Sequence, residues 1–488
     1  MSKLAGRLRR NLGDPRCFAR GTGSAPPTAR PRRLGRDLER DPVSERLRRL
    51  FPTQEVGVQD SLPGISAVLS EQRRGAASAS EHRGVTLEHR VLQTRQGGYV
   101  RGRALLPGNY LHGALPLDVV SQLDGEAALL LSGDDRLADF RPERALFFDL
   151  ETTGLPGGCR PSATTHEWRH RGSSRKACAG TPLAFLIGAA RLNSQGKVQL
   201  DQFLLRQQPD ESAQLLAFNE LLHQVDYLVS FNGRAFDRNI LADRLARNRI
   251  DPTRILTLPH LDLLYPSRRL YREAFGEASL DVIERRVLGL QRPASEVRGG
   301  EVPERWKRYL ATGDPRLLHA VLDHNVLDLL SLLTLGGHLA RCVRTPGLCL
   351  AEPVMLAAAA RLLLRRGRSD QAEVLLQHLA QGSVEDAVVY GVLGTLADQL
   401  RKTARHGEAL ALWRQMLRVA GVRDLQPWRA AAIALERRLN RPAEALQLVE
   451  EVLGRLSSGE GQGREDPLFP EFTTRCERLQ RKMQLPAA

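Results

Sequence analysis

Apolar and polar positions divide the chain into stretches of different rhythm. From about residue 144, short apolar runs alternate with turn signals. Ala145-Leu146-Phe147-Phe148-Asp149-Leu150 is an apolar run closed by Thr-Thr-Gly, which predicts a buried strand. Further strands are predicted over 183–192 and 198–206, joined by a hairpin turn at Asn193-Ser194-Gln195-Gly196. Leu215, Leu216, Phe218, Leu221, Leu222 and Val225 then recur at helical spacing. A strand over 227–231 is broken by Asn232-Gly233, a helix follows over 236–250, and a fifth strand is expected over 260–264. Helices and loops fill the chain to about Cys342. Three strands in a meander, then alternating helix and strand, predict an α/β fold with a mixed sheet flanked by helices.

After Pro353 the rhythm is purely helical. Three stretches resemble one another, those starting at Arg368, Arg405 and Arg441, and their alanines Ala372, Ala409 and Ala445 are 37 and 36 residues apart. That period suggests stacked helical pairs similar to tetratricopeptide repeats; an ordinary helical bundle is the alternative. Upstream of the core, residues 1–85 lack periodicity, are rich in Gly, Ser, Pro and Ala in places, and read as mostly disordered. The expected organisation is that basic region, a lead-in over 86–142, the α/β domain over 143–345, the helical repeats over 353–456 and a tail over 457–488.

Composition changes the picture in two places. Lys+Arg number 71 against 56 Asp+Glu, a net charge of +15, and the first 50 residues carry +9 of it. A basic segment attracts phosphate backbones, but it also simply keeps a chain solvated. Six cysteines without a CxxC pair predict reduced thiols and a cytoplasmic setting. The basic start has no apolar stretch behind it, so no secretory signal is expected. No apolar run is seen to approach the roughly 20 residues that cross a bilayer, so no membrane partner is expected.

Three constellations bear chemistry. On a strand, positions i and i+2 face the same way, so Asp149 and Glu151 project together. Adjacent carboxylates repel unless a cation or proton lies between them, and their hard oxygens suit Mg²⁺ or Mn²⁺. The apolar flanks predict burial, which makes unpaired acids costly unless they serve a site. Asp237 opens the helix after Asn232-Gly233-Arg234-Ala235-Phe236, where a helix cap is the plain structural role. His324 and Asp328 are i and i+4 within an apolar helix and share one face. Asp262, on the fifth strand, reads as structural. A segment over 157–180 with Cys159, His166, His170 and Cys178 matches no zinc spacing and reads as a basic mobile loop near the first strand's end. No Gly-x4-Gly-Lys-Ser/Thr is present, which excludes a phosphate-loop motor.

These motifs, in this order, resemble those of the DEDD exonuclease superfamily. More closely, the chain resembles the YprB-like ribonuclease H-like family, through residues 147–155, 230–237, 260–264, 280–289 and 324–328, about 200 residues in all. The resemblance implies a ribonuclease H-like fold and a 3′–5′ exonuclease acting on a single-stranded end of DNA or RNA. It implies that Asp149, Glu151, Asp237 and Asp328 hold two divalent ions and that His324 orients or deprotonates water. Thr152, Thr153, Gly154 and Leu155 would then hold the terminal nucleotide, with Asn232 and Phe236 shaping the pocket. The family's His base usually precedes the last Asp by five positions; here the separation is four. The helical repeats would offer a surface to a protein partner. A catalytically inactive adaptor on the same fold is the alternative. An aspartate-nucleophile phosphatase is disfavoured because the second acid is Glu151 and lysines are few.

Overall fold

The computed structural model describes residues 85–154, 182–293, 297, 299–384 and 386–484. The basic N-terminal region, Leu155 and the insertion with Cys159, His166, His170 and Cys178 lie outside the described residues.

Seven strands form one mixed sheet: β1 (Glu88–Thr94), β2 (Gly97–Leu106), β5 (Ala145–Thr152), β6 (Ala184–Leu192), β7 (Val198–Leu205), β8 (Tyr227–Ser230) and β9 (His260–Asp262). Their spatial order is β1-β2-β7-β6-β5-β8-β9, and β3 (Leu111–His112) pairs separately with β4 (Leu115–Pro116). The first four pairings are antiparallel; β5–β8 and β8–β9 are parallel. The predicted meander is β5, β6 and β7. The stretch read as a lead-in contributes two further strands: β1 and β2 form a hairpin closed by Thr94, whose hydroxyl donates to the Gly97 carbonyl (2.9 Å).

Helices cover both faces of the sheet. Leu146, Phe148 and Leu228 point into a core with α2 (Glu211–Leu222) and α3 (Asp237–Arg247). Phe147, Val229 and Leu261 point the other way, into a core with α1 (Gly125–Ser132), α4 (Leu264–Phe275) and α6 (Arg316–Arg344). Between the last two helices, α5 (Val302–Thr312) stacks Trp306 on Phe185 at 4.5 Å between ring centres. Strand alternation therefore puts Asp149 and Glu151 on the Phe147 side, facing α6.

The 29 residues of α6 correct one expectation. This helix is long and apolar enough, by length and composition, to cross a membrane. Its most apolar window is 78% buried within the fold, because α6 is the central helix of this face. Gly336 and Gly337 serve that packing: a Cβ on Gly337 would overlap the Val119 carbonyl in the turn of helix over Leu117–Gln122.

Beyond α6, helices α7 (Pro353–Arg365), α8 (Ser369–Leu379), α9 (Ala387–Lys402), α10 (His406–Ala420), α11 (Gln426–Arg437), α12 (Pro442–Ser457) and α13 (Phe469–Gln484) pack successively. Ala372, Ala409 and Ala445 are fully buried at equivalent places in α8, α10 and α12. Each amide donates to the carbonyl of Arg368, Arg405 or Arg441, always at 3.1 Å. The residues just before those arginines, Gly367, Ala404 and Asn440, all take positive φ (74°, 61° and 50°). Helix α7 belongs to two cores: Met355, Ala359 and Leu362 face the α/β unit, and Ala357, Ala360 and Leu363 face the helical array.

Gly337→Ala is expected to destabilise the protein by about 1–3 kcal/mol through overpacking. Gly454→Ala, on α12 where a Cβ meets nothing within 4 Å, should be neutral or gain about 0.5–1 kcal/mol from helix propensity. Urea unfolding of both variants checks the pair.

Candidate metal and catalytic centre

The centre forms where β5 ends against α6. Asn325, fully buried on α6, donates from Nδ2 to Asp149 Oδ2 (3.0 Å) and accepts at Oδ1 from Gln202 Nε2 (3.0 Å). The helix can come this close because β6 carries Gly188, where any Cβ would overlap the Asn325 amide. This contact sets the height of α6 on the sheet and so brings His324 and Asp328 to Glu151. His324 Nε2 lies 3.5 Å from Asp328 Oδ2 and 3.8 Å from Glu151 Oε1. The ligating atoms of Glu151, His324 and Asp328 all fall within 4.8 Å of one another.

Asp149 and Asp237 lie outside that tight triangle but join it electrostatically. Burial, then the charges of Asp328, Glu151 and Asp237, push the Asp149 carboxyl well above the usual range, against the Asn325 hydrogen bond. Burial pushes Glu151 up to about 8; His324 and Arg292 pull it down, and Asp328 and Asp237 add to the rise. Asp237 is pushed up to about 7 by burial, Asp262 and Asp328. Protons thus occupy a site whose geometry brings acids together. The carboxylate oxygens fit a hard divalent ion, which would take the place of those protons.

Asp237 sits at the first residue of α3, and Asp262 explains how the preceding loop is held. The Asp262 carboxylate accepts from the amides of Asn232 (2.7 Å), Arg234 (3.1 Å) and Leu264 (3.1 Å). Its oxygens are thus engaged by backbone, and Asn232 is held at a φ of 67°. Phe236 beside Asp237 is 42% exposed. At the end of β5, Thr152 Oγ1 donates to the Gly154 carbonyl (3.0 Å). The Thr153 amide and hydroxyl bond the carbonyl and amide of Leu183, both at 3.0 Å.

Two participants were given no role by the sequence reading: Arg292, and Glu284 within the 280–289 motif. Arg292 donates from Nη2 to Asp328 Oδ1 and from Nη1 to His324 Nδ1 (3.0 Å). Glu284, with no exposed surface, holds Arg292 by two hydrogen bonds of 2.5 and 2.6 Å. Ser331 donates to Glu284 (2.5 Å) and contacts His112 Nε2 (2.8 Å). A guanidinium can only donate, so His324 Nδ1 is the acceptor and the neutral ring carries its proton on Nε2, aimed at Glu151 and Asp328. In this arrangement His324 is a hydrogen-bond donor; taking a proton at Nε2 requires release of Nδ1 from Arg292.

Glu284→Ala would strand the half-buried Arg292 and leave the Ser331 hydroxyl without its acceptor. A loss of about 3–5 kcal/mol is expected in urea unfolding, as for other broken buried pairs. Ser331→Ala removes one hydrogen bond and should cost about 1 kcal/mol.

Comparison with known proteins agrees with this architecture. Residues 178–340 match the RNase_H superfamily, a span that starts beyond the strand carrying Asp149 and Glu151. A Bacillus subtilis (strain 168) protein named "Uncharacterized protein YprB" is 29% identical over 323 residues, covering 64% of this chain and 70% of that protein. The mixed seven-stranded sheet with its flanking helices is thus a ribonuclease H-like fold, a nuclease-type architecture, followed by a helical C-terminal region.

Proposed function

We propose that this chain is a divalent-metal-dependent nuclease that hydrolyses phosphodiester bonds of DNA or RNA, working from the 3′ end. The observation that carries the reading is the convergence of Glu151, His324 and Asp328 within 4.8 Å, beside Asp149 and Asp237. Asp149, Glu151, Asp237 and Asp328 would hold two ions, Mg²⁺ or Mn²⁺, which when bound supply a water of lowered pKa and charge stabilisation at the phosphoryl group. Asn325 engages one oxygen of Asp149, and Arg292 engages one oxygen of Asp328. His324 orients the attacking water. The exposed Phe236 ring offers a stacking face to a base of a single-stranded end, and Asn232 and the Thr152-Thr153-Gly154 turn shape the place of the terminal nucleotide. Exonuclease action from the 3′ end rests on the DEDD-like motifs. The repeating geometry at Ala372, Ala409 and Ala445 supports a tetratricopeptide-like surface for a protein partner.

A second reading, an inactive binding protein on the same fold, is favoured by one observation. Arg292 is an internal cation that already pairs with Asp328 and contacts His324. Absence of Mn²⁺ binding by calorimetry, with nucleic-acid binding intact, would decide for it.

Strands of DNA and RNA labelled at the 3′ or the 5′ end are the test of activity. With Mn²⁺, the 3′ label should be released first as mononucleotide, and chelator should abolish release. Asp149→Ala should lower the rate about a thousandfold, a loss of about 4 kcal/mol of transition-state stabilisation. Undiminished release by this variant would refute the reading.

The raised acids give a pH dependence of defined sign. Between about pH 4.5 and 8 the metal-free folded state holds protons that the unfolded chain has lost. Stability of the chelated protein should therefore fall as pH rises through that window. Binding of Mn²⁺ releases those protons, so its stabilising shift in Tm should be larger at pH 8 than at pH 6. Thermal unfolding at both pH values, with and without Mn²⁺, measures it; an equal shift at both would contradict the assignment.

A further inference from the structure

A seam of arginines lies beside the acidic centre, and most of its guanidiniums form no salt bridge among the described residues, with Asp134 and Asp262 as longer-range neighbours. Arg234 and Arg238 stand one helical turn apart around Asp237, the Arg238 amide donating to the Gly233 carbonyl (2.9 Å). Arg234 is exposed, and its guanidinium has no hydrogen-bond or ion-pair partner among the described residues. The Arg238 Nε is buried with no hydrogen-bond partner among them. Arg136 approaches Arg238 electrostatically, Arg234 approaches Asp134, and Asp134 is the ion-pair partner of Arg136 (2.6 Å).

The same turn continues the seam. The Arg366 guanidinium lies against Gly133, in the space a Cβ would fill, and its Nε donates to the Leu130 carbonyl (2.9 Å). Arg269 donates to the Leu131 carbonyl (3.2 Å). These two contacts have a structural use, since they satisfy carbonyls at the C-terminal end of α1. That use does not extend to Arg365, exposed at the end of α7 with like-charged Arg269 and Arg361 as its electrostatic neighbours. The seam's acids are engaged already: Asp134 by Arg136, Glu273 by Arg361, and Asp262 by three amides.

We propose that this seam, from Arg234 and Arg238 across the 133–136 turn to Arg365, is the track for the sugar–phosphate backbone of a single-stranded nucleic acid. The proposal rests on the nuclease reading for the identity of the polyanion. Arg234 and Arg365 are exposed, and a planar guanidinium fork matches phosphate oxygens, so these contacts would bind phosphate and leave sequence unread. Their place beside Asp237 makes the seam continuous with the acidic centre, so a strand held by its phosphates would reach that centre with one end.

The test is fluorescence anisotropy of a labelled single-stranded oligonucleotide on the full chain, in chelator, over a range of salt. Arg234→Gln and Arg365→Gln change exposed, unpaired side chains and should leave folding intact, as circular dichroism will verify. Each phosphate contact on a single strand contributes about 0.7 to the slope of log K against log salt. The double variant should flatten that slope by about 1.4 and weaken binding roughly 25-fold at 0.1 M salt. Lys482→Gln, at the far end of the chain, should change neither. An unchanged slope in the double variant overturns the seam, as does equal binding of polyglutamate, which would mark a general anion patch. Failure of wild-type protein to bind the strand overturns it too. Cleavage by wild type with Mn²⁺ is read separately: cleavage with an unchanged slope removes the seam and keeps the nuclease, whereas a flattened slope without cleavage does the reverse.

Discussion

Helix α6 can serve the centre only because it lies almost on the backbone of the sheet. The amide of Asn325 fits where β6 has Gly188, and it links Asp149 on β5 to Gln202 on β7 in one step. A side chain at residue 188 would lift the helix and separate His324 and Asp328 from Glu151. At the other end of α6, Gly337 performs the same service against Val119. Two close approaches along one buried helix thus fix its height and register. The apolar residues between them, from Val326 to Leu335, supply the burial that holds it there.

That same burial creates the electrostatic problem of the centre. Several carboxyls share a region of low dielectric, and burial is the first cause of the rise in Asp149, Glu151 and Asp237 alike. The fold compensates part of this charge itself. Arg292 meets Asp328 with one nitrogen, and Glu284, Ser331 and His112 anchor Arg292 from behind. Burial works against the Arg292 charge, but its carboxylate partners outweigh it and raise its proton affinity. The remaining acids, Asp149, Glu151 and Asp237, have no such guanidinium pairing among the described residues, and burial raises their affinity for protons instead. An ion that enters thus competes with protons at three groups and with a guanidinium at the fourth.

Much of this was legible in the local pattern. Period-two alternation sufficed to put Asp149 and Glu151 on one face of a buried strand, and an i, i+4 spacing sufficed to pair His324 with Asp328. Turn chemistry located the hairpin at Asn193 and the break at Asn232-Gly233. What escaped were contacts between residues far apart in sequence. Asn325 meets Asp149 across 176 positions, and Arg292 meets Asp328 across 36, from a segment without periodic signal. Nothing local tells Arg292 from the many surface arginines of this chain. The hairpin β1–β2 escaped for a different reason: polar and apolar positions mix in both strands, and their place is set by pairing of β2 with β7, which leaves β1 at the edge.

The charge of the chain also divides differently once the fold is known. The first 50 residues carry +9 of the +15, yet the arginines that border the centre come from the start of α3 and the loop before it, from the turn after α1 and from the end of α7. Helix α7 buries one side in the α/β core and the other in the helical array. Displacing it would expose apolar surface in both, a cost that holds Arg365 and Arg366 at a set position relative to β5. The helical array is therefore tied into the α/β unit through a shared helix. Its first helix completes the apolar core of the α/β unit beside Leu270 and Tyr271 of α4.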